Sequence, residues 1–156
     1  MLQHELMDIE KKSMPTEFRS EWHKLRVNLL YSAAWLSKGT HDVLKPFGLT
    51  PKQFNVLGIL NGHTDELPLT VLEIRNLMLD KMSDASRLID RMHNKGIIRK
   101  FPCTKDKRAT RVVLTDEGQK LLKTITKDES RFDQLVNTLS SKEAQLLNSL
   151  LDKMRD

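Results

Sequence analysis

The chain has 156 residues, 38% of them apolar and 30% charged, enough for one domain to bury a core without covalent staples. Its 26 Lys+Arg outweigh 21 Asp+Glu for a net charge of +5, and no apolar run approaches the roughly 18 residues a bilayer span needs, which excludes a transmembrane protein. Six glycines and five prolines are too few for a β-sandwich or a disordered tail, and the single Cys103 forms no intramolecular disulfide and fits a reducing cytoplasm.

Residues 1–15 are polar and mixed, with no basic stretch leading into an apolar one, so no signal peptide is expected. Thr16 is the expected N-cap of a long amphipathic helix with Phe18, Trp22, Leu25, Leu29, Ser32 and Leu36 at helical spacing, fading near Gly39 or Pro46. Thr50-Pro51-Lys52-Gln53 combines a capping box with proline at the first helical position, and opens a second helix on Phe54, Leu57 and Leu60. Asn61-Gly62-His63-Thr64-Asp65 ends it. A capping box from Thr70 to Glu73 starts a short third helix with Val71, Ile74, Leu77 and Met78 inward, and Asp80 is the expected cap of a fourth, stopped by Gly96.

Ile97 to Phe101 and Arg111 to Leu114 are strand-like, with the polar turn Pro102 to Thr110 between them. Behind Thr115, Asp116 and Glu117 sit where the helix dipole favours acids. They open a fifth helix expected to carry Leu121, Leu122, Ile125, Phe132, Leu135, Val136 and Leu139 in one run. Ser140 to Glu143 is one more capping box, opening a last helix with Leu147, Leu150, Leu151 and Met154. The order α-α-α-α-β-β-α-α describes a mainly α protein with a small β-wing. It divides into a tail and dimerising helix over 1–48, a winged helix-turn-helix over 49–115, and dimerising helices over 116–156.

The charge is concentrated. From Lys81 to Arg111 there are ten basic residues against three acids, a net +7, while the rest of the chain has 16 basic against 18 acidic, a net −2. Such a local field attracts polyanions, and nucleic acid is the commonest intracellular one. In the fourth helix Met82, Ala85, Leu88, Ile89 and Met92 form the inward stripe, leaving Ser83, Asp84, Ser86, Arg87, Asp90 and Arg91 outside. Small hydroxyls at the start of a reader helix permit close approach to base edges, and Arg87 is long enough to reach a guanine or a phosphate. Asp84 is placed to accept from a cytosine amino group or to reject wrong sequences, and Asp90 to orient Arg87 or Arg91. The turn between the strands gathers Lys105, Lys107 and Arg108 around Asp106, a composition suited to a minor groove or flanking backbone.

Ser86-Arg87-Leu88-Ile89-Asp90-Arg91-Met92-His93-Asn94-Lys95-Gly96-Ile97-Ile98 resembles the recognition helix and following strand of MarR-type transcriptional regulators. Asp106-Lys107-Arg108 with Val112 to Gly118 resembles that family's wing and fifth-helix start, and Leu49 to Phe54 its second-helix start. The pattern departs at Leu79-Asp80-Lys81-Met82, where many members have a Gly-containing turn and an apolar residue at position 80. The resemblance implies a homodimer built from the first, fifth and sixth helices, bound to an inverted-repeat operator, usually as a ligand-responsive repressor. Carried over by position, Ser83, Ser86 and Arg87 would touch the major groove, and Arg108 would enter the minor groove with Asp106 holding it.

The terminal helices carry more apolar surface than one winged domain covers. Phe18, Trp22, Leu25, Leu139, Leu146, Leu147, Leu150 and Leu151 are therefore expected at a two-fold interface, or packed on one another within one chain. Trp35, His41, Phe47 and Phe54 either line an effector pocket or belong to the core. The five histidines form no cluster at metal spacing, and no phosphate loop or nucleophile motif occurs, so neither metal, cofactor nor enzymatic activity is expected. Cys103 lies between Lys100 and Lys105, cations of the kind that activate a thiol; it reads as an unreactive surface thiol, with a redox sensor as the alternative. The expected partners are double-stranded DNA, a second copy and a small-molecule effector, with no membrane. The competing reading is a winged-helix module whose basic face binds an acidic protein.

Overall fold

The computed structural model describes residues 17–64, 68–81, 84–103, 109–128 and 130–156. The chain divides into two compact units, Met1–Gly39 and Thr40–Asp156. Helix α1 (Glu21–Leu44) makes up most of the described first unit. It starts behind Ser20, whose hydroxyl accepts from the His23 amide at 3.2 Å; the expected cap, Thr16, lies outside the described residues. Gly39 does not end it, because an interior glycine costs a helix only about 1 kcal/mol and its neighbours continue the turn. The helix instead tightens into a 3-10 turn (Lys45–Phe47) closed by Gly48 at φ 65°, a left-handed stop that suits glycine.

All three predicted capping boxes of the second unit are formed, the last of them at Ser140 and Glu143. Thr50 opens α2 (Pro51–Gly62) and Thr70 opens α3 (Val71–Leu77), each with reciprocal side-chain and backbone bonds to the residue three places on. Helix α4 (Ala85–Asn94) ends at Gly96, φ 74°. Strands β2 (Ile98–Pro102) and β3 (Thr110–Leu114) form the wing ladder, with Phe101 opposite Arg111 and Arg99 opposite Val113.

A third strand was not expected: β1 (Leu69–Thr70) pairs with the other edge of β3, Leu69 opposite Val112, giving the order β1-β3-β2. Two residues show no alternation to read, and only the vacant edge of β3 makes them a strand.

The expected single fifth helix is also corrected. Helix α5 (Asp116–Thr126) stops, a one-turn α6 (Ser130–Asp133) follows, and turns lead to α7 (Ser141–Arg155). The break lies where the Asp128 carboxylate takes the Ser130 hydroxyl and Arg131 Nε, the latter at 2.9 Å, offering a local alternative to the helical ladder. Beyond it, Phe132 stacks on Phe54 with centroids 5.4 Å apart and planes 10° from parallel.

The core joins these elements through Leu44, Val56, Leu57, Ile74, Ile89, Met92, Ile98 and Val112, all fully buried. Each such side chain contributes about 1.5–3 kcal/mol. Leu77 was expected inward on α3 but is 46% exposed, since the helix ends there and Met78 takes the core position. Helix α5 starts directly on the link between α4 and β2. The Thr115 amide donates to the Ile97 carbonyl and its hydroxyl to the Gly96 carbonyl (2.6 Å), and a Cβ at Gly118 would lie 2.0 Å from Ile97 O. Glycine is therefore required at 118 by proximity rather than by backbone angle.

Candidate nucleic-acid interface

Helix α4 divides as its periodicity predicts. Ala85, Leu88, Ile89 and Met92 are buried, and Asp84, Ser86, Arg87, Asp90 and Arg91 are exposed. The exposed α4 face thus holds a hydroxyl, two arginines and two carboxylates, while every buried α4 residue is apolar. Met82 and Ser83 lie outside the described residues, as do Lys105, Asp106, Lys107 and Arg108 of the wing tip.

The acids of this region have roles other than those expected of them. Asp84, not Asp80, is the N-cap of α4: its carboxylate accepts from the Arg87 amide at 3.1 Å and pairs with Arg87 Nε at 3.1 Å. Asp84 is thus committed to its own helix rather than offered to a base. Asp80 instead pairs with Lys52 of α2 at 2.7 Å, and the neighbouring Leu79 amide donates to Asn55 Oδ1 at 3.1 Å. These two contacts pin the turn between α3 and α4 onto one face of α2. Nothing in the local pattern signals them, because the partners are 24 or more residues away. Asp90 does not orient Arg87 or Arg91; it pairs with Lys100 of β2, tying the reader helix to the wing.

The Arg87 side chain is 82% exposed. A surface ion pair of this kind is worth at most about 1 kcal/mol, so the guanidinium can leave Asp84 for a stronger acceptor at little cost. With Asp84 and Asp90 each matched by a cation, exposed Lys81, Arg91, Lys95 and Arg99 set the sign of the surface around α4. Lys95, at the C-terminal end of α4, donates to the Gly48 carbonyl at 2.6 Å.

At the wing root, Cys103 is buried at 6% exposure, which corrects the expected surface thiol. Its amide closes the hairpin onto Ala109 O at 2.9 Å, and its side chain bonds Arg111, raising that guanidinium's hold on its proton. The Arg111 side chain also reaches the Pro68 carbonyl and lies 3.8 Å from Glu73. The Glu73 carboxyl is held below its ordinary value, first by the Thr70 amide, then by the Thr70 hydroxyl and, more weakly, by Arg111.

The residues proposed for a pocket divide. Phe47 lines a concavity of about 360 Å³ with Val43, Thr124, Ile125, Arg131 and Phe132, and Phe54 reaches it only by stacking on Phe132. His41 is exposed and does not line it, and Trp35, in the first unit, is half exposed.

The MarR-family model matches residues 47–109, from the 3-10 turn through α2, α3 and α4 to the start of β3. Over that stretch the chain is similar to the MarR family. A stretch of 71 residues is 39% identical to the transcriptional repressor MdtR of Bacillus subtilis, covering 46% of this chain and 44% of MdtR. Similarity to the transcriptional regulator PecS of Dickeya dadantii extends over 130 residues at 23% identity, 83% of this chain and 75% of PecS. The winged-helix fold is shared with a mutant E. coli MarR solved with operator DNA, at a TM-score of 0.77 and 22% identity over 88% of this chain and 98% of that one. No described helix is long and apolar enough to cross a membrane.

Proposed function

We propose that this chain is a MarR-family, sequence-specific DNA-binding transcriptional repressor, acting as a homodimer on an inverted-repeat operator and released by a small-molecule effector. Helix α4 enters the major groove with Ser86, Arg87 and Arg91 toward the bases and phosphates, and Ser83 at its mouth. Residues Lys105, Lys107 and Arg108 follow the flanking backbone and minor groove, with Asp106 holding Arg108. The observation that carries this reading is the clean division of α4: an apolar buried face against an exposed face of hydroxyl and guanidinium groups, tied through Asp90 to the wing.

Dimerisation draws support from apolar side chains left uncovered in each unit, among them Trp22 and Leu25 in the first and Leu139, Leu147 and Leu150 in the second. Phe18 and Leu151, both partly buried, belong to the same proposed interface. A two-fold pair matches half-sites about one duplex turn apart. The concavity beside Phe47 and Phe132 is of the size that holds a small organic effector.

Selection of bound fragments from genomic DNA, followed by fluorescence anisotropy, tests the reading. A palindromic site should be enriched, affinity should fall steeply with salt, and Arg108→Ala should cost roughly 1–3 kcal/mol of binding. Random recovery of fragments, or an indifferent Arg108→Ala, would favour a basic-faced protein-interaction module instead.

A further inference from the structure

Arg111 lies on the central strand β3, opposite Phe101 of β2 and Thr70 of β1. Its side chain is only 21% exposed, so its charge is directed into the fold and not toward a passing phosphate. Three contacts account for that direction: the Pro68 carbonyl at the entry to β1, the Glu73 carboxylate at 3.8 Å, and the Cys103 side chain at the end of β2. Glu73 is itself the third residue of α3, bonded to the Thr70 amide at 2.6 Å and hydroxyl at 2.8 Å. One planar cation therefore joins both wing strands to the N-terminal end of the helix that precedes the reader helix. A guanidinium suits this position because its fixed fork serves several acceptors at once, where an ammonium is a single compact charge.

We propose that Arg111 is a positioning residue for duplex binding. It fastens the wing strands to the start of α3, so that β2, β3 and helix α4 meet DNA as one unit. This rests on the DNA-binding reading above. Removing Arg111 leaves every other cation of the wing and of α4 in place, but releases β3 from the start of α3. The Asp90–Lys100 ion pair still ties the wing to α4, so the wing is held less firmly. The wing cations then no longer engage phosphates at the same time as α4, and fewer counterions are released. A residue that served stability alone would lower the folded fraction and leave the salt dependence untouched.

The test uses the full-length chain and the DNA site it selects, with anisotropy titrations over a series of salt concentrations. Arg111→Gln should bind about tenfold more weakly near 0.1 M salt, with a log–log salt slope shallower by about one to two. Arg111→Lys should recover part of both. Because Arg111→Gln could unfold the wing root, Glu73→Gln serves as a second variant: glutamine preserves the capping box while removing the charge that faces Arg111. It should move affinity and slope in the same direction by less, with an unchanged circular dichroism spectrum. Wild-type slopes in both glutamine variants would overturn the role, as would an affinity loss confined to Arg111→Gln and equal to its unfolded fraction. A wild-type chain that binds no duplex would overturn the DNA-binding reading, and this role with it.

Discussion

Gly118 sits where α5 starts against the chain leaving α4. Its amide donates to the Thr115 hydroxyl at 3.1 Å, and its missing side chain leaves room for the Ile97 carbonyl. A methyl group there would lie 2.0 Å from that oxygen, and a backbone atom cannot rotate aside as a side chain can. Gly118→Ala is expected to destabilise the chain by about 1–3 kcal/mol, the usual cost of forcing atoms into a packed site. Urea denaturation checks this, and an unchanged midpoint would mean that the close approach relaxes freely. Gly48, by contrast, has nothing within 4 Å of its virtual Cβ and is held to glycine by its positive φ alone. Asp84 shows how residue identity and role separate. An exposed acid on a reader helix looks like a base contact in sequence, and only the distance to the Arg87 amide reveals a cap.

Three carboxylates secure the starts and stops of helices. Glu143 is held below its ordinary 4.5 by the Ser140 hydroxyl and amide, Glu73 by the Thr70 amide and hydroxyl, and Asp128 by the Ser130 hydroxyl and Arg131. Each binds its proton more weakly in the folded chain than in the unfolded one. Their contribution is therefore complete above about pH 4.5 and is lost as the pH falls through the lowered values. Urea midpoints measured from neutral pH downward should hold steady and then drop below about pH 4.5. Glu143→Gln, which keeps the capping box, should show a shallower drop; an identical acid limb would show that Glu143 titrates alike in both states. The capping boxes at Thr50, Thr70 and Ser140 were all legible, because a box is a four-residue signal closed by local bonds. Strand β1 and the end of α5 were not. The first depends on the edge of a strand 40 residues away, and the second on which of Asp128's bonds outcompetes the next helical turn.

For the whole molecule, uncovered apolar surface is the feature that one chain leaves unresolved. Trp22 is 81% exposed in the first unit, and Leu146 and Leu150 are 61% and 55% exposed in the second. Leu150→Glu places a charge on surface proposed to be covered by a second copy, and desolvating it there is costly. Sedimentation should show the wild type as a dimer and Leu150→Glu shifted toward monomer, with weaker binding to a two-half-site duplex. A monomeric wild type would defeat the dimer.

What the sequence determined alone was largely local: helix periodicity, the capping boxes at Thr50, Thr70 and Ser140, the left-handed stop at Gly96, the apolar stripe of α4 and the +7 stretch from Lys81 to Arg111. These follow from interactions within a few residues, which any chain of this order would make. The tertiary structure decided which charges meet. Lys52 with Asp80, Asp90 with Lys100, and Arg111 with Pro68, Glu73 and Cys103 are pairings across elements. A charge in sequence has many possible partners, and only packing brings one of them within bonding distance.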